Sequence, residues 1–198
     1  MSSVGNESQS SIVIDALQPP TSKAPRSCPV LAVWLRDLVI SLAISAFIII
    51  FLYQPVKVEG TSMMPSIDNE ERIFINKFVY RFGIEDVHRG DTVVFWFPND
   101  TTKSYIKRVI GLPGDTVEVR EGTVVLNGRA LEEPYVPDDF RDRVSVARQK
   151  LGVDQYFVLG DHRNSSNDSR TGWTVPRNYI YGKAVFVYWP LKRLGLLH

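Results

Sequence analysis

LVISLAISAFIIIFLY, residues 38–53, carries no charge along its whole length. With the preceding LAVWL, apolar character extends back past Arg36 and Asp37 to about 23 residues, the length a helix needs to cross the hydrocarbon core of a bilayer. Beyond Tyr53 the pattern changes. VKVE (56–59), RIFINKF (72–78), TVVFWF (92–97), SYIKRVI (104–110), TVEVR (116–120), TVVLN (123–127), QYFVL (155–159) and KAVFVYW (183–189) read as short β-strands rich in branched and aromatic residues. Turn chemistry separates them at Arg89-Gly90-Asp91, Gly114-Asp115, Glu121-Gly122 and Asn127-Gly128. The fold expected is mainly β, a compact β-sheet domain behind one N-terminal transmembrane helix. The polar stretch 132–150 reads as a loop or a short helix, and no period marks a repeat.

A buried core helix or a cleaved signal sequence also contains such an apolar run. A signal sequence has a shorter apolar region ending at small residues, whereas this one ends in Phe51-Leu52-Tyr53, which favours an uncleaved anchor. Trp34 and Tyr53 suit the two interfacial belts. Lys23, Arg26 and Arg36 precede the uncharged run and only Lys57 follows it closely, so the positive-inside bias puts the N-terminus in the cytoplasm. The β domain is then extracytoplasmic. Residues 1–29, rich in Ser and Pro, with Pro19, Pro20, Pro25 and Pro29 interrupting any helix, read as a disordered cytoplasmic tail. The expected division is tail 1–29, anchor 30–53 and β domain 54–198, in the cell membrane or an internal membrane such as a thylakoid.

Composition narrows the function. The 198 residues suffice for one well-packed domain plus an appendage. With 23 basic against 22 acidic residues and a net charge of +1, nothing marks a nucleic-acid surface. The single Cys28 has no intrachain disulfide partner, and His88, His162 and His198 lack ligand spacing, so no metal or other cofactor is expected.

Three segments carry candidate chemistry. In EGTSMMPSID, Gly60 permits an unusual backbone turn and Pro65 ends regular structure, which would hold Ser62 at an exposed, rigid bend. Taken alone, that serine fits a purely structural turn as well, and Met63 and Met64 fit either core filling or an adaptable wall for an apolar side chain. In SYIKRVIGLPGD, strand alternation sends Tyr105, Lys107 and Val109 to one face and Ile106, Arg108 and Ile110 to the other, so whichever face is buried takes a cation with it. A buried lysine loses hydration, its pKa falls, and the neutral amine can take a proton from a serine hydroxyl; arginine stays protonated. A lysine snorkelling from a solvated sheet face is the alternative. GDHRNSSNDSRTGW, following the apolar QYFVL, collects short hydrogen-bonding side chains around Arg163 and Arg170, a self-satisfied network or a solvated loop.

In this order, the apolar span, GTSMMPS, GDTVVFWFP, YIKRVIGLPGD and GDHRNSSNDSR resemble the successive motif boxes of bacterial type I signal peptidases. The resemblance runs from the anchor to about Trp189. It implies a membrane-bound serine endopeptidase that cleaves signal peptides from exported preproteins, with 54–198 as its catalytic domain. Ser62 is then the acylating nucleophile and Lys107 its general base. Ser166 matches the serine that hydrogen-bonds the lysine amine, and Asp168 and Arg170 match a supporting ion pair. Some relatives carry a serine two residues before the nucleophile to help hold the oxyanion. Here that position is Gly60, leaving the Ser62 backbone N–H as the chief donor, and one lost donor of this kind is worth roughly 3 kcal/mol. The last motif reads Asp161-His162-Arg163-Asn164-Ser165, where many relatives have Asn and Asp around the Arg. The implied partners are signal-bearing preproteins and the bilayer, with the enzyme a monomer, and with no nucleic acid or cofactor. Two other readings stay open at this point: a non-catalytic β ectodomain that binds peptides, and a Ser/Lys protease with other substrates.

Overall fold

The computed structural model describes residues 29–81 and 85–197. The 1–28 tail, Cys28 and His198 lie outside the described residues. Helix α1 (Pro29–Leu52) covers the apolar run. Its first residue is Pro29, which the sequence reading placed in the helix-breaking tail. At the first helical position the N–H has no intrahelical partner anyway, so proline starts the helix instead of breaking it. Residues Leu31–Ile48 form a segment long and apolar enough to cross a membrane, and none of it is buried against protein.

Tyr53, the last residue of the expected anchor, already belongs to a strand. The strands are β1 (Tyr53–Lys57), β2 (Arg72–Asn76), β3 (Thr92–Phe97), β4 (Asp100–Gly111), β5 (Thr116–Arg120), β6 (Thr123–Leu126), β7 (Arg129–Ala130), β8 (Val146–Lys150), β9 (Gln155–Leu159), β10 (Val175–Pro176), β11 (Ile180–Trp189) and β12 (Gly195–Leu196), with a single helical turn α2 (Phe78–Arg81) after β2. Each of the eight sequence-read runs overlaps one of these strands. The chain is therefore mainly β behind one N-terminal apolar helix, as the sequence pattern indicates.

The strands form two antiparallel sheets. The larger has eight strands in the order β1-β2-β11-β3-β4-β9-β10, with β12 added to β11; the smaller is β7-β6-β5-β8. The smaller sheet follows from its turns. Glu121-Gly122 and Asn127-Gly128 all take positive φ (46°, 84°, 52° and 84°), the pattern of tight hairpins whose twist matches that of the strands they join. The 132–150 stretch becomes neither plain loop nor α-helix: after one 3-10 turn at Asp138–Phe140 it ends in β8, an edge strand on β5.

The larger sheet is covered on both faces. Val93 and Phe95 of β3 enter one core with Val109, Val158 and Trp173, while Val94 between them enters another with Ile73, Ile75 and Met63. A third core joins Ile110, Phe157 and Leu159 to Val117, Val119 and Val124 of the smaller sheet. Toward its end β4 passes between these cores, and residues 107–111 are buried without alternation. The two cations in this buried end of the strand, Lys107 and Arg108, are each 4% exposed, whereas Lys103 nearer its start is exposed.

Candidate active site

The chain leaves β1 through Val58 and turns sharply at Gly60, whose φ of 109° is open to glycine and costly for other residues. The Gly60 N–H donates to Asn69 Oδ1 at 2.8 Å, and Met63 and Ile67, fully buried, pin the far side of the turn. Ser62 stands between these fixings. The loop after β9 grips it from the other side: His162 N–H donates to the Ser62 carbonyl at 3.1 Å, and His162 Nδ1 lies 3.1 Å from the Thr61 carbonyl, to which it donates in the Nδ1–H tautomer. Thr61 Oγ1 and Ser165 Oγ share a hydrogen bond at 3.3 Å. Gly160 makes this approach possible, since a Cβ there would meet the Ser62 carbonyl oxygen at 2.5 Å and Ser166 Oγ at 2.3 Å.

Lys107 reaches the same point from the middle of the large sheet. Its Nζ is hydrogen-bonded to Ser62 Oγ at 2.7 Å and donates to the Ile106 carbonyl at 2.9 Å. The face of Tyr105 lies 5.3 Å away. Among the described residues no carboxylate makes an ion pair with it. Burial is the dominant influence on the amine and pushes its pKa down to about 8, with Asp168 and Asp161 pulling weakly the other way.

Those two carboxylates are engaged elsewhere. Asp161 accepts a two-pronged fork from Arg108, Nε at 2.9 Å and Nη2 at 2.7 Å, as well as the Ser66 hydroxyl at 2.5 Å. Asp168 accepts a second fork from Arg170, both bonds 2.8 Å, together with the Gly160 N–H at 3.1 Å. A third fork joins Arg163 to Glu133 at 2.9 and 2.5 Å, and Tyr135 lies face-on to Arg108 at 4.3 Å. Arg170 also contacts Asp142 and donates to the Arg163 carbonyl at 2.7 Å. Planar guanidinium–carboxylate pairs of this kind satisfy both charges locally. They form a rigid wall behind Lys107 and leave little free negative charge to hold the amine protonated.

Sequence reading named Ser62, Lys107, Ser166, Asp168 and Arg170. The structure brings Ser62 to Lys107 and Asp168 to Arg170. Ser166 lies beside Gly160, but its Oγ is buried with no hydrogen-bond partner, and the bonds of the Lys107 amine go to Ser62 and Ile106 instead. Alternation had presented Lys107 and Arg108 as one buried and one exposed cation; both are buried, because both faces of β4 are covered. Glu133, Tyr135 and Asp142 were not singled out; their signal in the sequence is a tyrosine and acids inside a stretch otherwise lacking pattern, and buried arginines find their partners there.

Ser62 and Lys107 line a groove of about 430 Å³ that is also lined by Val56 to Glu59 and Ser104 to Ile106, with the buried Ile73, Ile75 and Val94 as its floor. β4 pairs with β9 only from Arg108 onward, so the outer backbone edge of Ser104–Lys107 has no strand partner among the described residues, although the Ile106 carbonyl already accepts from Lys107 Nζ. Among the described residues no three His, Cys, Asp or Glu side chains converge to hold a metal ion. The arrangement provides a hydroxyl, a depressed-pKa amine within hydrogen-bond reach of it, and a groove with an apolar floor beside a strand edge that has no strand partner among the described residues.

A family model described as "Signal peptidase, peptidase S26" matches residues 31–189. A signal peptidase I of Bacillus amyloliquefaciens is 37% identical over 172 residues, covering 79% of this chain and 84% of its own length. One of Leptolyngbya laminosa is 35% identical over 188 residues, covering 90% of this chain and 89% of its own. A crystal structure of a signal peptidase I from Enterococcus faecalis V583 is 30% identical, covering 50% of this chain and 97% of that chain with a TM-score of 0.44.

Proposed function

The chain belongs to the signal peptidase family, peptidase S26, and is a signal peptidase enzyme; from that premise we propose that it is a membrane-bound serine endopeptidase working through a Ser62/Lys107 dyad. The observation that carries this reading is the 2.7 Å contact between Ser62 Oγ and a Lys107 amine that is buried and without a carboxylate partner. With its pKa near 8, about one amine in ten is already neutral at neutral pH, and a substrate that covers the groove dries it further.

The neutral amine accepts the Ser62 proton as Oγ attacks the scissile carbonyl. The Ser62 N–H, which has no partner among the described residues, supports the oxyanion, because Gly60 has no hydroxyl to offer and the Gly60 N–H is already bonded to Asn69. The Lys107 ammonium then gives its proton to the leaving amine, and the regenerated amine activates water to release the acyl group. Asp168 and Arg170 hold the loop that backs Gly160. Ser166 takes a supporting part: once Ser62 is acylated, its unpartnered hydroxyl beside the Ser62 carbonyl becomes the natural acceptor for the amine.

The substrate is an extended segment at the end of a signal peptide. It adds as a strand along Ser104–Ile106 and places side chains over Ile73, Ile75 and Val94. Helix α1 is the anchor, with residues 54–198 as the extracytoplasmic catalytic domain and the N-terminus in the cytoplasm. The exposure of its apolar surface on every face favours lipid over a protein core. The test is incubation of the detergent-solubilised full chain with a signal-bearing precursor. The wild-type protein releases the mature product and Ser62→Ala, still folded, does not; processing by Ser62→Ala at the wild-type rate would overturn the assignment.

A further inference from the structure

A second concavity of about 560 Å³ lies beside the substrate groove, and Tyr181 forms a wall of both. Its lining includes two cations, Lys77 and Arg177, and no carboxylate. Each cation is laid against an aromatic face: Lys77 Nζ is 5.4 Å from the Tyr181 ring and the Arg177 guanidinium 5.2 Å from that of Tyr80. Trp96, 42% exposed, closes the rim against Tyr181 at 4.9 Å. The other half-buried or buried arginines Arg89, Arg108, Arg163 and Arg170 are paired with carboxylates, yet neither Lys77 nor Arg177 joins an ion pair among the described residues. The side-chain hydrogen bonds of Arg177 are two long ones, at 3.4 and 3.5 Å, to the carbonyls of Ile180 and Tyr80. Two cations with no ion-pair partner among the described residues, facing one hollow, make a site for an anion.

The position of the hollow says which anion. Gln54, two residues beyond the end of α1, is part of its wall. Along β1 the hollow lies toward the helix and the catalytic groove away from it, Gln54 and Val58 being roughly 13 Å apart at the rise of an extended strand. A helix that crosses a bilayer delivers its next few residues to the headgroup layer, where phosphodiesters supply the anions and where tryptophan and tyrosine sit favourably. We propose that Lys77 and Arg177, framed by Trp96 and Tyr181, bind the phosphate of an anionic phospholipid at the membrane-side end of the substrate groove. The inference rests on the reading of α1 as a membrane anchor. Bound lipid there sets the level of the groove mouth relative to the headgroups, where a signal peptide leaves the bilayer.

The experiment uses the full chain in detergent, with phosphatidylglycerol titrated in and retained lipid counted by native mass spectrometry. Three proteins are compared: wild type, Lys77→Gln/Arg177→Gln, and Arg129→Gln/Arg148→Gln, which removes two exposed cations from the smaller sheet. The pocket variant is expected to retain phosphatidylglycerol roughly tenfold more weakly and the smaller-sheet variant as well as wild type. All three should cleave a short soluble peptide equally. Equal loss in both variants would mean diffuse surface charge and would overturn the pocket, as would displacement of the lipid by inorganic phosphate at similar concentration, which would make the site a free-phosphate site. A parallel arm asks whether the three proteins enter neutral phosphatidylcholine vesicles. Failure of all three would bring down the anchor and the lipid site together, whereas entry by all three with equal phosphatidylglycerol retention by wild type and the pocket variant would overturn the pocket alone.

Discussion

Lys107 and Arg108 are neighbours on β4, equally buried at 4% exposure, and each brings a positive charge into the protein. Their surroundings differ completely. Arg108 meets Asp161 in a two-pronged fork, the Gly90 carbonyl at 2.9 Å and the ring of Tyr135, so its charge is matched where it stands. Lys107 meets a hydroxyl and one carbonyl, opens on a groove, and is left to lower its own pKa. A guanidinium cannot shed its proton at any ordinary pH, so burying one demands a partner; an ammonium can, so burying one without a partner produces a base. The same strand thus contributes a structural cation and a reactive amine one residue apart.

The contrast can be broken most severely at the amine. Lys107→Arg keeps the positive charge and removes the base, and the variant should lose at least roughly 10⁴-fold in precursor cleavage, as expected when one member of a catalytic pair is lost. Measurable turnover close to wild type would erase the distinction between the two cations. On the paired side, Asp161→Asn strands Arg108 with a neutral partner, and urea unfolding should show a loss of about 3–5 kcal/mol. Next comes the cost of the unpaired amine itself. An unfolded lysine holds its proton up to its ordinary value of 10.5, whereas folded Lys107 releases it near 8. The unfolded chain therefore binds more protons between those values, stability rises with pH across that window, and below it the buried charge is a burden of up to roughly 3 kcal/mol. Lys107→Met should be inactive yet more stable than wild type at neutral pH, and should lack that rise when unfolding is followed across the window. The smallest effect is expected at Ser166, whose hydroxyl is buried without a partner. Replacement by Ala should change unfolding stability by less than about 1 kcal/mol, and a larger loss would reveal a bond absent from the resting structure.

The strands were legible because their residues repeat at strand spacing and their turns use glycine and asparagine where positive φ is required. β8 was not. VARQK has neither alternation nor an apolar face to bury, and it is a strand only because the β5 edge is there to pair with. Pro29 misled because one residue type has opposite meanings at the start and in the interior of a helix. At the site, neither Ser62 nor Lys107 carried a decisive local signal. What nominated them was the resemblance of four motifs in order, and their contact at 2.7 Å joins positions 45 apart in sequence, a separation that no short-range pattern can measure. The fork from Arg163 to Glu133 was illegible for the same reason: it closes over 30 residues, from a stretch whose composition reads as solvated loop.

The most direct test of the account is the pH dependence of kcat/KM for a signal-bearing substrate, which reports the ionisation of the free enzyme's base. The account predicts a rate that climbs as the medium becomes alkaline, with an acid limb centred near the value of about 8 set by the burial of Lys107. A rate that stays level far into the acid range would contradict it, since no lysine amine would then be the group taking the proton from Ser62.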